Sequence, residues 1–114
     1  MITHATCTLD QALAMGPPPE GRLSIPVLER GSLEVRFYAP QEVDAQTPHP
    51  RDEVYVVASG HAQFDGPDGA RAVASGAMIF VAAGTTHHFT DLSSDFAVWV
   101  MFYGPDGGEH AASR

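Results

Sequence analysis

Glycine and proline break this chain at short intervals, and that spacing limits what it can fold into. GPPPEG occupies 16–21, GPDG 66–69 and GPDGG 104–108, with single glycines at 31, 60, 76 and 84. So many breakers leave little room for long helices. The segments between them are rich in β-branched and aromatic residues, the signature of short strands. LSIPVLER (23–30) and SLEVRFYAP (32–40) flank a Gly31-Ser32 turn and read as a hairpin, with Pro26 marking an edge strand or a bulge. EVYVVAS (53–59) runs to Gly60, and HAQFD and ARAVA flank the GPDG turn as a second hairpin. AMIFVAA (77–83), HHFTD (87–91) and DFAVWVMFYG (95–104) complete the set. Eight or nine short strands at regular spacing predict an all-β sandwich or barrel.

Only residues 8–15, TLDQALAM, suggest a helix, because Thr8 and Gln11 have capping-box spacing. We expect a single domain over 1–114, with its core at about 23–104, an N-terminal segment 1–22 and a flexible tail 105–114.

Charge narrows the partners. The formal net charge is −8, with no lysine and six arginines, whereas a nucleic-acid binder would carry a basic stripe. No stretch approaches the length of a membrane span, and MITHATCTLDQALAMG lacks the basic start and apolar run of a signal peptide. One cysteine, Cys7, allows no internal disulfide and fits a reducing compartment. The expected location is the cytoplasm. If Glu53 faces an interior pocket, Tyr55 and Val57 face it too, and the apolar Val54, Val56 and Ala58 face the other way. A sheet apolar on both faces needs cover on both, and a second subunit is the readiest source, so we expect a homodimer.

Three side chains stand where chemistry could gather. His49 and Glu53 bracket a strand start, and His87 follows the AAGTT turn. From spacing alone two arrangements stay open. Histidines near strand ends are most often solvated or satisfied by backbone. Two histidines and a carboxylate converging in a barrel would instead form a facial set with open positions, suited to divalent transition ions. His88 must point away from His87 if both lie in a strand and is expected at the surface, as is His61.

The chain resembles the cupins. Their first motif is G-x5-H-x-H-x3,4-E-x6-G and their second G-x5-P-x-G-x2-H-x3-N. Glu53 is followed by six residues and Gly60, and His49 takes the place of the second histidine. Gly76, Gly84 and His87 follow the second motif, with Ala82 in place of its proline and Asp91 in place of its final asparagine, while Val43 stands where the first motif has its leading glycine. The resemblance covers about residues 23–104. It implies an antiparallel double-stranded β-helix, or jelly-roll barrel. It implies one divalent transition metal, Fe, Mn, Zn or Ni, held by His49, Glu53 and His87, and a small organic ligand in a pocket that Tyr55 and Phe89 would help line. Cupins with such sites include dioxygenases, isomerases and decarboxylases. The implied activity is oxygenase- or isomerase-like, the alternative being a non-catalytic binding or sensing module, with or without metal.

The sequence departs from the pattern at Thr47, which stands in place of the first metal histidine. Water or substrate could fill the vacated position. Gln46 could swing in as an additional ligand through the backbone restriction that Pro48 imposes on Thr47. Or the metal could be lost and the pocket retained for an organic ligand.

Overall fold

The computed structural model describes residues 2–110. A short helix, α1 (Leu9–Leu13), is followed by β1 (Ile25–Arg30), β2 (Leu33–Tyr38), β3 (Asp52–Ser59), β4 (His61–Gly66), β5 (Gly69–Ala74), β6 (Met78–Val81), β7 (His88–Thr90) and β8 (Ala97–Tyr103). These form a five-stranded sheet in the order β1-β2-β8-β3-β6 and a three-stranded sheet in the order β5-β4-β7. Every strand pair is antiparallel. This is the double-stranded β-helix that the sequence predicts.

Each local feature has a sequence cause. α1 begins with a complete capping box: Gln11 N–H donates to Thr8 Oγ1 at 3.1 Å, and Thr8 N–H donates to Gln11 Oε1 at 2.8 Å. β1 is an edge strand, and its pairing with β2 shifts register between Pro26 and Leu28. Proline has no N–H to give a ladder, so an edge or a bulge is where it fits. Gly60 turns β3 into β4 at φ +72°. A Cβ there would meet Ser93 Oγ and lie 2.8 Å from Phe96 Cα, so both backbone angle and space require glycine.

The five-stranded sheet is built in rows across its strands. On the inner face Glu34, Phe102, Glu53 and Val81 form one row, and Arg36, Val100, Tyr55 and Ile79 the next. Tyr55, Val57, Val98, Val100 and Phe102 then pack with Phe89 and Phe96 as the main core. The inner face of β8 is therefore that of Val98, Val100 and Phe102, while Trp99, Met101 and Tyr103 point outward.

On the outer face Val35, Met101, Val54 and Phe80 form one row, and Phe37, Trp99, Val56 and Met78 another. Cover for one end comes from the chain itself. Ala12 of α1 is fully buried with Phe37 and Ala97, and Cys7, Leu9, Ala58 and Trp99 pack around them. That part of the outer face is covered without a second subunit. At the β6 end Met78 and Phe80 stay 65% and 52% exposed.

The first part of the tail expected to be flexible hydrogen-bonds to the barrel. Gly107 N–H donates to the Pro50 carbonyl at 2.7 Å and Glu109 N–H to Asp52 Oδ2 at 2.8 Å. The second Asp52 oxygen accepts from Ala83 N–H at 2.9 Å. The remainder of that tail, 111–114, lies outside the described residues.

Candidate functional site

Glu53 sits on the inner face of β3, 2% exposed, and His87 lies in the turn before β7, also 2% exposed. They are distant in sequence but meet with Oε1 and Nε2 3.0 Å apart. A cavity of about 380 Å³ opens against Glu53; His87 lies behind Glu53 and is not part of the cavity lining. Glu53 and His49 line it, together with Gln46 and Thr47 from the loop before β3 and Val100 and Phe102 from β8.

The hydrogen-bond directions can be followed from one end. Asp44, buried in the same loop, accepts four bonds: from Tyr38 O–H and Gln46 N–H at Oδ1, and from Gln46 Nε2 and Phe89 N–H at Oδ2. Because Gln46 Nε2 donates to Asp44 at 2.7 Å, its Oε1 is an acceptor, and it takes the single proton of Tyr55 O–H at 2.6 Å. The Tyr55 oxygen, 2.8 Å from His87 Nε2, must then accept. His87 Nδ1 faces the Thr85 carbonyl at 2.8 Å and can only donate there. These contacts are all satisfied when both ring nitrogens carry protons and Nε2–H is shared between Glu53 and Tyr55. Burial alone would lower the His87 pKa. The bond to Glu53, the Thr85 carbonyl and the charges of Glu53 and Asp44 outweigh it and raise the pKa.

Neighbouring groups shift as this network requires. Burial first, then the Glu53 and Asp44 charges, push the Tyr55 hydroxyl up and keep it neutral. Burial and Asp44 do the same for Tyr38. His49 is shifted down by burial, partly opposed by the Glu53 charge. Its ring stacks on Phe102 with centroids 3.9 Å apart, and its Nδ1 accepts from Arg51 N–H at 3.3 Å.

The metal-ligand trio is thus only partly brought together. Glu53 and His87 meet, and His49 faces the same cavity. Among the described residues, no three His, Cys, Asp or Glu side chains are grouped to hold a metal ion. The Gln46 amide is committed at both ends, so it is not free to serve as an additional ligand. Tyr55 and Phe89 do not line the cavity. The Tyr55 ring is fully buried behind Glu53 and only its hydroxyl reaches the site, while Phe89 packs edge-on to Tyr55 at 5.1 Å in the core. His88 is half-buried on β7 and His61 is exposed.

Sequence reasoning passed over Arg36, Tyr38 and Asp44. Glu34, Arg36 and Tyr38 alternate along β2, and an alternating polar set normally marks a solvent face. Here it faces the cavity instead. The signal was present in the period of two, but its sign was reversed by the hollow interior.

Two stacked antiparallel sheets around a polar cavity, with the second-motif histidine against the first-motif glutamate, define a small-cupin fold. The chain belongs to the same family as an uncharacterized protein of Streptomyces coelicolor, with 37% identity over 81 residues, 69% of this chain and 77% of that protein. No family profile matches the chain. Among solved structures it is similar to a cupin-2 domain protein from Shewanella frigidimarina, with TM-score 0.69, 13% identity and coverage of 86% of this chain and 94% of that one. It is also similar to a cupin superfamily protein from Desulfitobacterium hafniense, with TM-score 0.63, 13% identity and coverage of 90% and 94%.

Proposed function

We propose that the chain binds a small organic molecule in the cavity over Glu53 and acts on it at the edge that Glu53 shares with His87. The observation that carries this reading is the 3.0 Å contact of Glu53, which lines the cavity, with the buried His87 behind it. A buried acid–base pair beside a cavity is a common basis for proton transfer at a bound molecule. An isomerase-like reaction needs that transfer.

The fuller form adds one divalent transition metal, Fe, Mn, Zn or Ni, with His49, Glu53 and His87 as ligands. Imidazole and carboxylate donors suit these ions, which would supply O2 activation or enolate stabilisation for an oxygenase- or isomerase-like reaction. Against it, the three donors are not gathered as they stand, and the Nε2 proton of His87 would have to leave. Those observations favour a second reading, a binding or sensing cupin without metal and without turnover.

Metal analysis of protein purified without a histidine tag or added metal separates these. Near-stoichiometric metal that disappears in a His49→Ala/His87→Ala variant supports the metal form. No metal, and no thermal shift with Fe, Mn, Ni or Zn, removes it. Oxygen uptake and substrate proton exchange across catechols, thiols and keto acids then separate turnover from binding.

The partner in solution is proposed to be a second copy, seated on the two apolar rows of the outer face where Met78 and Phe80 are exposed. Sedimentation of wild type and Phe80→Asp tests it: a dimer that becomes monomeric is expected. Cytoplasmic residence is proposed on the single thiol of Cys7. No helix among the described residues is long and apolar enough to cross a membrane.

A further inference from the structure

After β8 the chain doubles back as a strap, residues 104–109, that crosses the loops carrying the site. Gly104 N–H donates to Ser32 Oγ at 3.3 Å, Gly107 N–H to the Pro50 carbonyl at 2.7 Å and Glu109 N–H to Asp52 Oδ2 at 2.8 Å. Gly108 is buried between the last two contacts at φ +91°. A Cβ on it would stand 2.7 Å from Asp52 Oδ1 and 3.3 Å from Ala83 Cβ, so only a residue without a side chain lies so close. What the strap grips is the backbone on which both site histidines are mounted. Pro50 follows His49, and Asp52 precedes Glu53. The second Asp52 oxygen accepts from Ala83 N–H, in the turn that leads to His87. Within that turn Thr85 N–H donates to the Ala82 carbonyl at 3.1 Å, and the Thr85 carbonyl faces His87 Nδ1. The two histidine segments are also tied to each other, Gly84 N–H donating to the His49 carbonyl at 2.8 Å. Strap, 49–52 segment and 82–85 turn therefore form a closed ring of bonds. Among the described residues the cavity lining includes His49 and Glu53 but none of 104–109, so the strap acts from outside the cavity.

From this arrangement we infer that the 104–109 strap is a positioning element of the site. It clamps Pro50 directly and Ala83 through Asp52, and so keeps the His49 ring stacked on Phe102 and the His87 turn seated beside Glu53. Neither histidine has a strand ladder to hold it: His49 lies in the loop before β3, and His87 lies between β6 and β7. Irregular segments of that kind open locally at low cost unless their backbone groups are bonded elsewhere. A site on loops keeps its geometry only through such supporting bonds. The inference rests on the small-molecule reading above for what the two histidines then do, and on the backbone bonds alone for where they stand.

Two full-length variants lift the strap without touching a cavity residue. Gly107→Pro removes the N–H that Pro50 accepts and cannot adopt the φ of +90° found there. Gly108→Val drives a side chain into Asp52 and Ala83. Isotope-labelled protein is then followed by NMR, with no ligand added. In the wild type the His49 ring protons should lie upfield, because the ring stacks on Phe102 with centroids 3.9 Å apart. In both variants they should move downfield towards the position of an unstacked histidine. The Gly84 amide, which bonds the His49 carbonyl, should exchange about tenfold faster or more. The Val57 amide, bonded to the Ala77 carbonyl at 2.9 Å in the barrel, should keep its wild-type protection. A His49 ring that stays at its wild-type shift in both variants, or a Gly84 amide that stays protected, overturns the inference. Gly84 and Val57 amides that speed up equally also overturn it, since the strap would then hold the whole barrel and not the site. These readouts need no bound molecule, so a cavity found to bind nothing would remove the small-molecule reading and leave the positioning result as measured.

Discussion

Glu53 Oε1 and His87 Nε2 lie 3.0 Å apart, both almost fully buried. That pair joins β3 to the turn before β7 and so ties the two sheets together at the site. Removing the carboxylate charge leaves His87 with no anionic partner in a buried place. Glu53→Gln should therefore cost about 1–3 kcal/mol of stability in urea or guanidinium unfolding. A variant as stable as wild type would show that the pair contributes nothing to the fold.

Asp44 anchors the network that orients the pair. It holds Tyr38, both ends of the Gln46 backbone-to-amide span, and the Phe89 N–H. Asp44→Ala strips four buried donors of their acceptor at once and should cost about 2–4 kcal/mol. Tyr55→Phe removes only the hydroxyl between Gln46 and His87, and should cost about 1–2 kcal/mol. A double variant should lose less than the two single losses combined, because both act on one chain of bonds. Strict additivity in a double-mutant cycle would contradict the network.

Asp52 gives the fold an acid dependence. Two backbone N–H groups, Glu109 first and then Ala83, hold its pKa below the ordinary carboxylate range. A depressed folded pKa means the unfolded chain takes up the proton first. The stabilisation is therefore fully present above about pH 4 and fades as pH falls through the lower folded value. Comparing wild type with Asp52→Asn across pH 2–7, the stability gap should be widest near neutrality and close in acid, a range of roughly the carboxylate titration. A gap that is constant with pH would show that the charge of Asp52 is not what matters.

Gly60 is irreplaceable for two reasons acting together, its φ of +72° and the Phe96 backbone 2.8 Å from where a Cβ would stand. Gly60→Ala should destabilise by about 2–4 kcal/mol, more than the left-handed angle alone would cost. Gly31, also at positive φ but with open space around it, serves as the control: its alanine variant should lose only about 1 kcal/mol. Equal losses at the two positions would rule out the packing contribution.

The strand pattern was legible because it rests on local chemistry. Breakers at 60, 66–69, 76 and 84 set the strand lengths, and the alternation in EVYVVAS set which side chains share a face. The capping box at Thr8 and the edge position of Pro26 followed from which backbone N–H groups those residues satisfy or lack. Asp91 occupies φ +52° in the turn that the second motif ends on, an angle that Asp and Asn tolerate better than most residues.

The site was legible only as a set of residue types. The sequence by itself determined that Glu53, Tyr55 and Val57 would share a face and that His87 would follow a glycine turn, because period and turn chemistry are properties of neighbours along the chain. It did not reveal that His49 would rest on Phe102, that Gln46 would be spent on Tyr55 and Asp44, or that Glu34 and Arg36 would face a cavity instead of solvent. Those outcomes depend on which strands become neighbours. The β2-β8-β3 order places Glu34, Phe102 and Glu53 in one row, and only the closed tertiary structure decides which side of that row is hollow.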